Sequence, residues 1–252
     1  MNVNYSIYSE YIRSKFFIMS SIIKLRGKGV SRIINSKVML SPLAGVTDKI
    51  FRKLVRKWAP ESLLFTEMIN ATSLKHGYGT QKIKQLELEK GPVGVQIFDN
   101  RPFAVSEAAK LAEDSGAFLI DINMGCPVKK ISRKGGGSAL INDRLLAIEL
   151  VKRASNAVKV PVTVKTRLGW ENKEENIEEF LLSLQDAGAE MITLHGRTRK
   201  EGFSGKADWE MIGKIKDLLE IPVIANGDIK NPKDAFNCFK KTNADGLMIG
   251  RG

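Results

Sequence analysis

The sequence is short of everything that builds a disulfide framework, a metal centre or a membrane anchor. It holds two cysteines, Cys126 and Cys238, far apart in the chain, which excludes a disulfide scaffold and fits a reducing compartment. It holds two histidines, His76 and His195, and neither a CxxC pair nor an HExxH helix, so no metal site is expected. No segment approaches the roughly 20 apolar residues that span a bilayer, so no membrane association is expected and the cytoplasm is the expected location. Acidic residues are also scarce: 28 Asp and Glu against 40 Lys and Arg leave a net charge of +12. A field of that sign favours polyanions such as nucleic acid or a membrane surface, and says nothing about fold. A solvated lysine-rich surface gives the same total.

The charge is uneven. Residues 1–37 carry Arg13, Lys15, Lys24, Arg26, Lys28, Arg32 and Lys37 against the single acid Glu10. The apolar run Phe16–Ile23 is too short and too broken by serine for a signal peptide. A transit peptide and an over-long start with Met19 as the true initiator are the two readings of this leader. Either predicts that much of 1–30 is loosely ordered. The expected organisation is a basic extension over 1–37 and a catalytic domain over 38–252.

Eight short apolar runs recur after the leader: Val38–Pro42, Leu63–Met68, Val93–Phe98, Phe118–Asn123, Val162–Thr166, Met191–His195, Val223–Asn226 and Gly246–Gly250. Uninterrupted apolar runs are strands buried on both faces, as parallel strands are. Helical patterns lie between them, among them Arg101–Ser115, Asp143–Val158 and Asn176–Ala187. Gly116, Gly188 and Asn243 stand where the preceding helix must stop, and Pro92, Pro161 and Pro222 stand where the next strand starts. Eight βα units in about 250 residues predict an α/β fold of the (β/α)8 TIM-barrel type. An open doubly wound sheet is the alternative, but no GxGxxG turn follows the first run. The sequence ends at Gly252, directly after the eighth run, which predicts a barrel lacking its final helix.

The C-terminal ends of barrel strands are where chemistry is done, and polar residues collect there. The fourth run ends Asn123-Met124-Gly125-Cys126-Pro127. A thiol at that place is not required for packing. As a nucleophile it would need a base or a helix N-terminus, and no Cys–His pair is visible. As a general acid it would stay protonated at neutral pH, which suits it best. Cys238, in Phe236-Asn237-Cys238-Phe239, reads as helix packing. Lys165 interrupts a buried run and needs an anionic or acceptor partner; a flavin's N1–C2=O2 edge would serve, and so would an ion pair with Glu67. Gln96 would hydrogen-bond a flavin pyrimidine edge or satisfy neighbouring backbone. His195 would contact a phosphate or the substrate, or be a satisfied core residue. Gly227 and Gly250 allow backbone N–H groups to approach an anion, and Arg251 adds charge, at the two strands where barrels bind phosphate. After Cys126, four cations (Lys129, Lys130, Arg133, Lys134) precede Gly135, Gly136 and Gly137. This reads as a loop able to grip a polyanion.

With these residues in hand, the chain resembles the tRNA-dihydrouridine synthases, and within them the bacterial B-type branch. The motifs are Ser41–Asp48, Thr66-Glu67-Met68, Val95–Phe98, Asp121–Pro127, Lys165–Trp170, His195–Thr198, Asn226–Ile229 and Gly250-Arg251-Gly252. The resemblance implies an FMN enzyme that reduces the C5=C6 bond of a tRNA uridine with NADPH, with Cys126 as proton donor. It implies FMN contacts at Pro42, Leu43, Ala44, Gln96, Lys165, His195, Asn226, Gly227, Asp228, Gly250 and Arg251. Asn123 would orient the uracil, and Arg167 and Arg197 would face the RNA. The family carries a helical domain after the barrel, and this sequence lacks it. A monomer is expected. An FMN barrel acting on a small pyrimidine and an inactive RNA-binding remnant are the alternatives.

Overall fold

The computed structural model describes residues 22–84, 86–172 and 176–251. The described chain opens with an antiparallel hairpin of β1 (Ile23–Arg26) and β2 (Ser31–Ile34). The barrel strands follow as β3 (Val38–Leu40), β4 (Leu64–Phe65), β6 (Val93–Phe98), β7 (Leu119–Asn123), β8 (Val162–Arg167), β9 (Ile192–His195), β10 (Val223–Asn226) and β11 (Gly246–Ile249). A short β5 (Ile69–Asn70) runs beside the end of β6. The helices are α1 (Lys49–Arg56), α2 (Ala71–Lys75), α3 (Pro102–Asp114), α4 (Lys129–Ser132), α5 (Arg144–Ala157), α6 (Ile177–Asp186), α7 (Trp209–Leu218) and α8 (Pro232–Thr242).

The main sheet is parallel in the order β3-β11-β10-β9-β8-β7-β6-β4. Leu40 N–H donates to the Leu63 carbonyl at 3.1 Å and joins the first strand to the last. The result is the expected eight-stranded TIM-type cylinder, with every barrel strand inside its apolar run except β8, which runs one residue further to Arg167. Local chemistry sets the boundaries. Asp143, Asp208 and Asn231 cap α5, α7 and α8 with side-chain oxygens. At the end of α3, Gly116 takes φ 90° and Ala117 N–H reaches the Ala112 carbonyl at 3.0 Å. Asn243 does the same work for α8 at φ 48°.

The basic leader is where the expectation and the structure part. Residues 1–21, Met19 among them, lie outside the described residues, as does Gly252. Residues 22–37 are not loose. In β1, Ile23 and Leu25 point inward and Lys24 and Arg26 outward, so the cations take the solvent face of an amphipathic strand. Ile23, Leu25 and Ile34 pack on Met39, Leu63, Phe65, Leu119, Met191, Ile224 and Met248. The hairpin therefore plugs the N-terminal end of the barrel. The larger core lies between sheet and helices, for example Val95, Ile97 and Val164 against Val105, Ala108 and Leu150.

This plug positions the site. Inward residues near the hairpin are apolar. One or two steps along the same strands they turn polar: Gln96, Asp121, Thr163 and Thr193 are all fully buried. The next step opens into a cavity at the C-terminal mouth, where Asn123, Lys165 and Asn226 line the wall. Among the described residues no helix is long and apolar enough to cross a membrane, and no cluster of three or more His, Cys, Asp or Glu could hold a metal.

Candidate active site

The cavity measures about 540 Å³, within the size range of small-ligand and cofactor sites. Its walls come from the loops after β3, β7, β8, β9, β10 and β11. Pro42, Leu43 and Ala44 form one side. Their loop is fastened from beneath: Thr47 Oγ1 accepts from Leu43 N–H at 3.0 Å, and buried Arg52 donates to the Thr47 carbonyl at 2.8 Å while pairing with Glu89.

Cys126 sits half-buried on the opposite loop, in the cavity wall. Its peptide is held at both ends. Its N–H donates to Asn123 Oδ1 at 2.9 Å, and its carbonyl accepts from Ser138 N–H at 3.1 Å. Arg167 Nε donates to the preceding carbonyl, that of Gly125, at 2.8 Å. Burial pushes the thiol above its ordinary value, against smaller opposite pulls from the Val128 N–H, Arg167 and Lys165. The thiol is therefore protonated at neutral pH. Cys238 is fully buried in α8 and its pKa is pushed up to about 12 by burial, as suits an inert packing residue.

Lys165 projects into the cavity from β8. Burial and then Arg167 bring its pKa down to about 8. Its ammonium donates to Asn226 Oδ1 at 2.9 Å, and Asn226 Nδ2 donates on to the Met248 carbonyl at 2.8 Å. The alternative ion pair with Glu67 is not formed. Glu67 instead accepts from Gly45 N–H at 2.8 Å and pairs with Lys82 at 3.0 Å.

His195 is held neutral. Burial, with Lys165, Arg167, Arg197 and Arg251 around it, takes its pKa down to about 2. Arg197 Nη1 lies 3.3 Å from His195 Nε2. A guanidinium only donates, so Nε2 accepts and the ring proton is on Nδ1. Gly227 has φ 116°, and a Cβ there would stand 2.9 Å from the imidazole. The close approach of backbone to ring requires glycine at this position. Gly250 is less constrained, its nearest neighbour lying 3.6 Å from a built Cβ. Arg251 is exposed and stacks on Phe203, 3.8 Å from the ring centroid.

Three of the expected site residues are engaged by the protein itself. Gln96 is not on the cavity wall. It is fully buried, its Nε2 donating to Asp121 at 2.7 Å and its Oε1 accepting from Asn123 Nδ2 at 2.8 Å. Arg197 does not face outward. It is 2% exposed and its donors are spent on the carbonyls of Ser204 and Gly205 and both oxygens of Asp228, each Asp228 contact at 2.8 Å. Arg167, 3% exposed, likewise donates to the carbonyls of Gly125, Thr198 and Gly202. Both arginines line the cavity while bracing its loops. Asp228 is correspondingly committed to Arg197 and to Ala207 N–H at 2.7 Å.

Phe203 lines the cavity and escaped the sequence reading, and Met68, read as part of the Thr66-Glu67-Met68 motif without a role, lines it too. Phe203 is 55% exposed, with Arg167 and Arg251 both against its ring. The available signal was its position between two loop glycines, in Gly202-Phe203-Ser204-Gly205.

The family model for dihydrouridine synthase matches residues 39–252. The chain belongs to the dihydrouridine synthase family. It is 51% identical over 222 residues to a protein of Synechocystis sp. named "Probable tRNA-dihydrouridine synthase 1", covering 88% of this chain and 62% of that one. It is 39% identical over 221 residues to the "tRNA-dihydrouridine synthase B" of Vibrio parahaemolyticus, covering 86% and 68%. The chain thus spans about two thirds of the length of these family members. The solved structure of histamine dehydrogenase from Rhizobium sp. 4-9 superposes with a TM-score of 0.71 over 94% of this chain and 46% of its own, at 14% identity. That likeness is one of fold.

The cavity's own features suit a flavin. It offers the half-buried Lys165 ammonium, a glycine-lined backbone approach after β10, and a cation, Arg251, after β11. An ammonium suits an electron-rich ring edge, and glycine backbone with a cation suits a phosphate.

Proposed function

We propose that this chain reduces the C5=C6 bond of a uridine in tRNA, with FMN as resident cofactor and NADPH as reductant. FMN, when bound, supplies the hydride that goes to C6. The chain's own residues do the rest. Lys165 holds positive charge at the floor of the cavity, where the flavin's N1–C2=O2 edge gains electron density on reduction. His195, through Nδ1–H, the backbone at Gly227 and Gly250, and Arg251 hold the phosphate. Pro42, Leu43 and Ala44 wall one side of the ring. Cys126 gives its proton to C5, and the thiolate regains one from solvent before the next turnover. Asn123 positions the uracil. Gln96 acts behind the wall through Asn123, and Asp228, on the wall, holds Arg197.

A uridine in folded RNA must leave its stack to reach this mouth. The exposed Lys129, Lys130, Arg133 and Lys134 stand beside Cys126 and are placed to hold the surrounding phosphates. Two unpaired cysteines and the NADPH requirement favour the cytoplasm.

One observation carries the reading: a thiol kept protonated by burial, on the wall of the cavity that also presents the Lys165 ammonium. The test is to load purified protein with FMN, add NADPH and unmodified tRNA, and map dihydrouridine. The protein is expected to bind FMN and turn yellow, and Cys126→Ala to stay yellow while losing most product. A protein that stays colourless with FMN overturns the cofactor assignment, and salt-sensitive tRNA binding without flavin would mark it as an RNA-binding module. Turnover of free uracil or orotate without tRNA would mark a small-pyrimidine reductase.

A further inference from the structure

Asp121 is a carboxylate in the middle of a barrel strand, fully buried, and no step above uses it. Its surroundings form a chain. Thr163 Oγ1 donates to Asp121 Oδ1 at 2.6 Å, and Gln96 Nε2 donates to Asp121 Oδ2 at 2.7 Å. Asn123 Nδ2 donates to Gln96 Oε1 at 2.8 Å. Asn123 Oδ1 then accepts from Gly125 N–H at 3.2 Å and Cys126 N–H at 2.9 Å. The two amides in the middle could each turn over without changing shape. The ends forbid it. A carboxylate only accepts, so it must meet the Gln96 nitrogen, and a backbone N–H only donates, so it must meet the Asn123 oxygen.

We infer that Asp121 is a positioning residue that, from the end opposite the Gly125 and Cys126 N–H groups, fixes the orientation of the Gln96 and Asn123 amides, and through them fastens the Cys126 loop and turns the Asn123 NH2 toward the substrate. With the carboxylate in place, a single orientation satisfies every donor and acceptor in the chain. The second Nδ2 hydrogen of Asn123 then lies toward Met68, whose sulfur, 3.8 Å away, is a weak acceptor on the cavity wall. A ring carbonyl of a pyrimidine is a better acceptor, so the amide is set to receive C=O. With the amides reversed, Asn123 would turn a donor toward two backbone donors and present its oxygen to the ring carbonyl. Both the thiol loop and the uracil would lose their fastening.

The choice of residue supports this. Burial pushes the Asp121 pKa up to about 6, against Gln96, Thr163 and Lys165, the charged group that faces it. An asparagine of the same shape would avoid that cost. It would also turn toward Gln96 a group that can donate as well as accept, leaving the Gly125 and Cys126 N–H groups as the one remaining end that sets the direction of the chain.

The effect on turnover rests on the function proposed above, whereas the hydrogen-bond order does not, so the experiment reads both. In FMN-loaded protein, kcat and KM for tRNA-dependent NADPH oxidation are measured beside the rate at which iodoacetamide alkylates Cys126, with buried Cys238 as reference. Asp121→Asn is expected to lower kcat roughly 10- to 100-fold by misplacing reacting groups, with FMN content unchanged, and to speed alkylation of Cys126. Adding Gln96→Glu to Asp121→Asn moves the acceptor-only group one place along the chain. It again obliges Asn123 to donate there, and is expected to restore most of the turnover and the slow alkylation. A single variant equal to wild type in both readouts, or a double variant no better than the single, overturns the inference. Wild-type protein without tRNA-dependent oxidation would overturn the functional reading while leaving the alkylation comparison to decide this one. If Asp121→Asn does not fold, neutron diffraction on the wild type decides: Asn123 Oδ1 toward Cys126 N–H supports the inference, and the reverse orientation ends it.

Discussion

Arg197 shows how a residue's partners define its task. The family resemblance implies an RNA contact for it, and in the structure its guanidinium is held by Asp228 and the carbonyls of Ser204 and Gly205. Arg197 is buried while Asp228 is 29% exposed, so water meets part of the charge left behind, but the enclosed loop carbonyls lose their donor. Arg197→Ala is therefore expected to cost about 1–3 kcal/mol in urea denaturation. His195 makes a second prediction, with a definite sign. The unfolded chain takes up its proton near pH 6.5, whereas the folded ring resists down to about 2. The neutral ring's contribution to stability is fully present above pH 6.5 and drains away as the pH falls toward 2. Between pH 7 and pH 5 the wild type should lose about 2 kcal/mol that His195→Asn does not lose, measured by urea titration at both values. At this scale the sequence was legible where chemistry is local. Cys126, Lys165 and His195 are rare residue types at strand ends, and all three line the cavity. It was illegible where a side chain's partners are carbonyls of a loop that folds back, as for Arg167, or where the partner is another buried amide, as for Gln96. Asp121 left a signal that passed unread: a charge inside an apolar run.

The hairpin of β1 and β2 is the element that most changes the picture. It closes the end of the barrel opposite the cavity, where an open cylinder would expose Met39, Phe65 and Ile224 to water. Leu25 is fully buried at that closure. Leu25→Ala should cost about 2–5 kcal/mol by urea denaturation, the range for truncating a core leucine. A value near zero would mean that the hairpin merely lies against the barrel. The barrel strands were legible because a doubly buried strand carries an unbroken apolar run, and glycine, asparagine and proline marked the joints. The hairpin was not, because each of its strands is four residues long: β1 alternates Ile23 and Leu25 with cations, and β2 buries Ile34 alone. One or two inward positions per strand cannot be told from chance in a basic leader.

For the whole molecule, the +12 charge acquires a direction once the inward arginines are set aside. Arg167 and Arg197 are 3% and 2% exposed and spend their donors on loops and on Asp228, so neither is placed to contact a phosphate outside the cavity. Among the described residues, Lys129, Lys130, Arg133 and Lys134 of the loop after Cys126 form an exposed cluster of cations beside the cavity. Each phosphate contact neutralised by a cation steepens the fall of affinity with salt by about 0.7–0.9 in log–log slope. Replacing these four residues by glutamine should therefore flatten the tRNA-binding slope by roughly 3, and leave FMN content and urea stability unchanged. Arg197→Ala is the contrasting case, expected to lower stability and leave that slope where it was. Filter binding of tRNA across a salt series, on the FMN-loaded protein and both variants, separates the two. A slope unmoved by the four glutamines, or moved equally by Arg197→Ala, would place the RNA on a different face of the barrel.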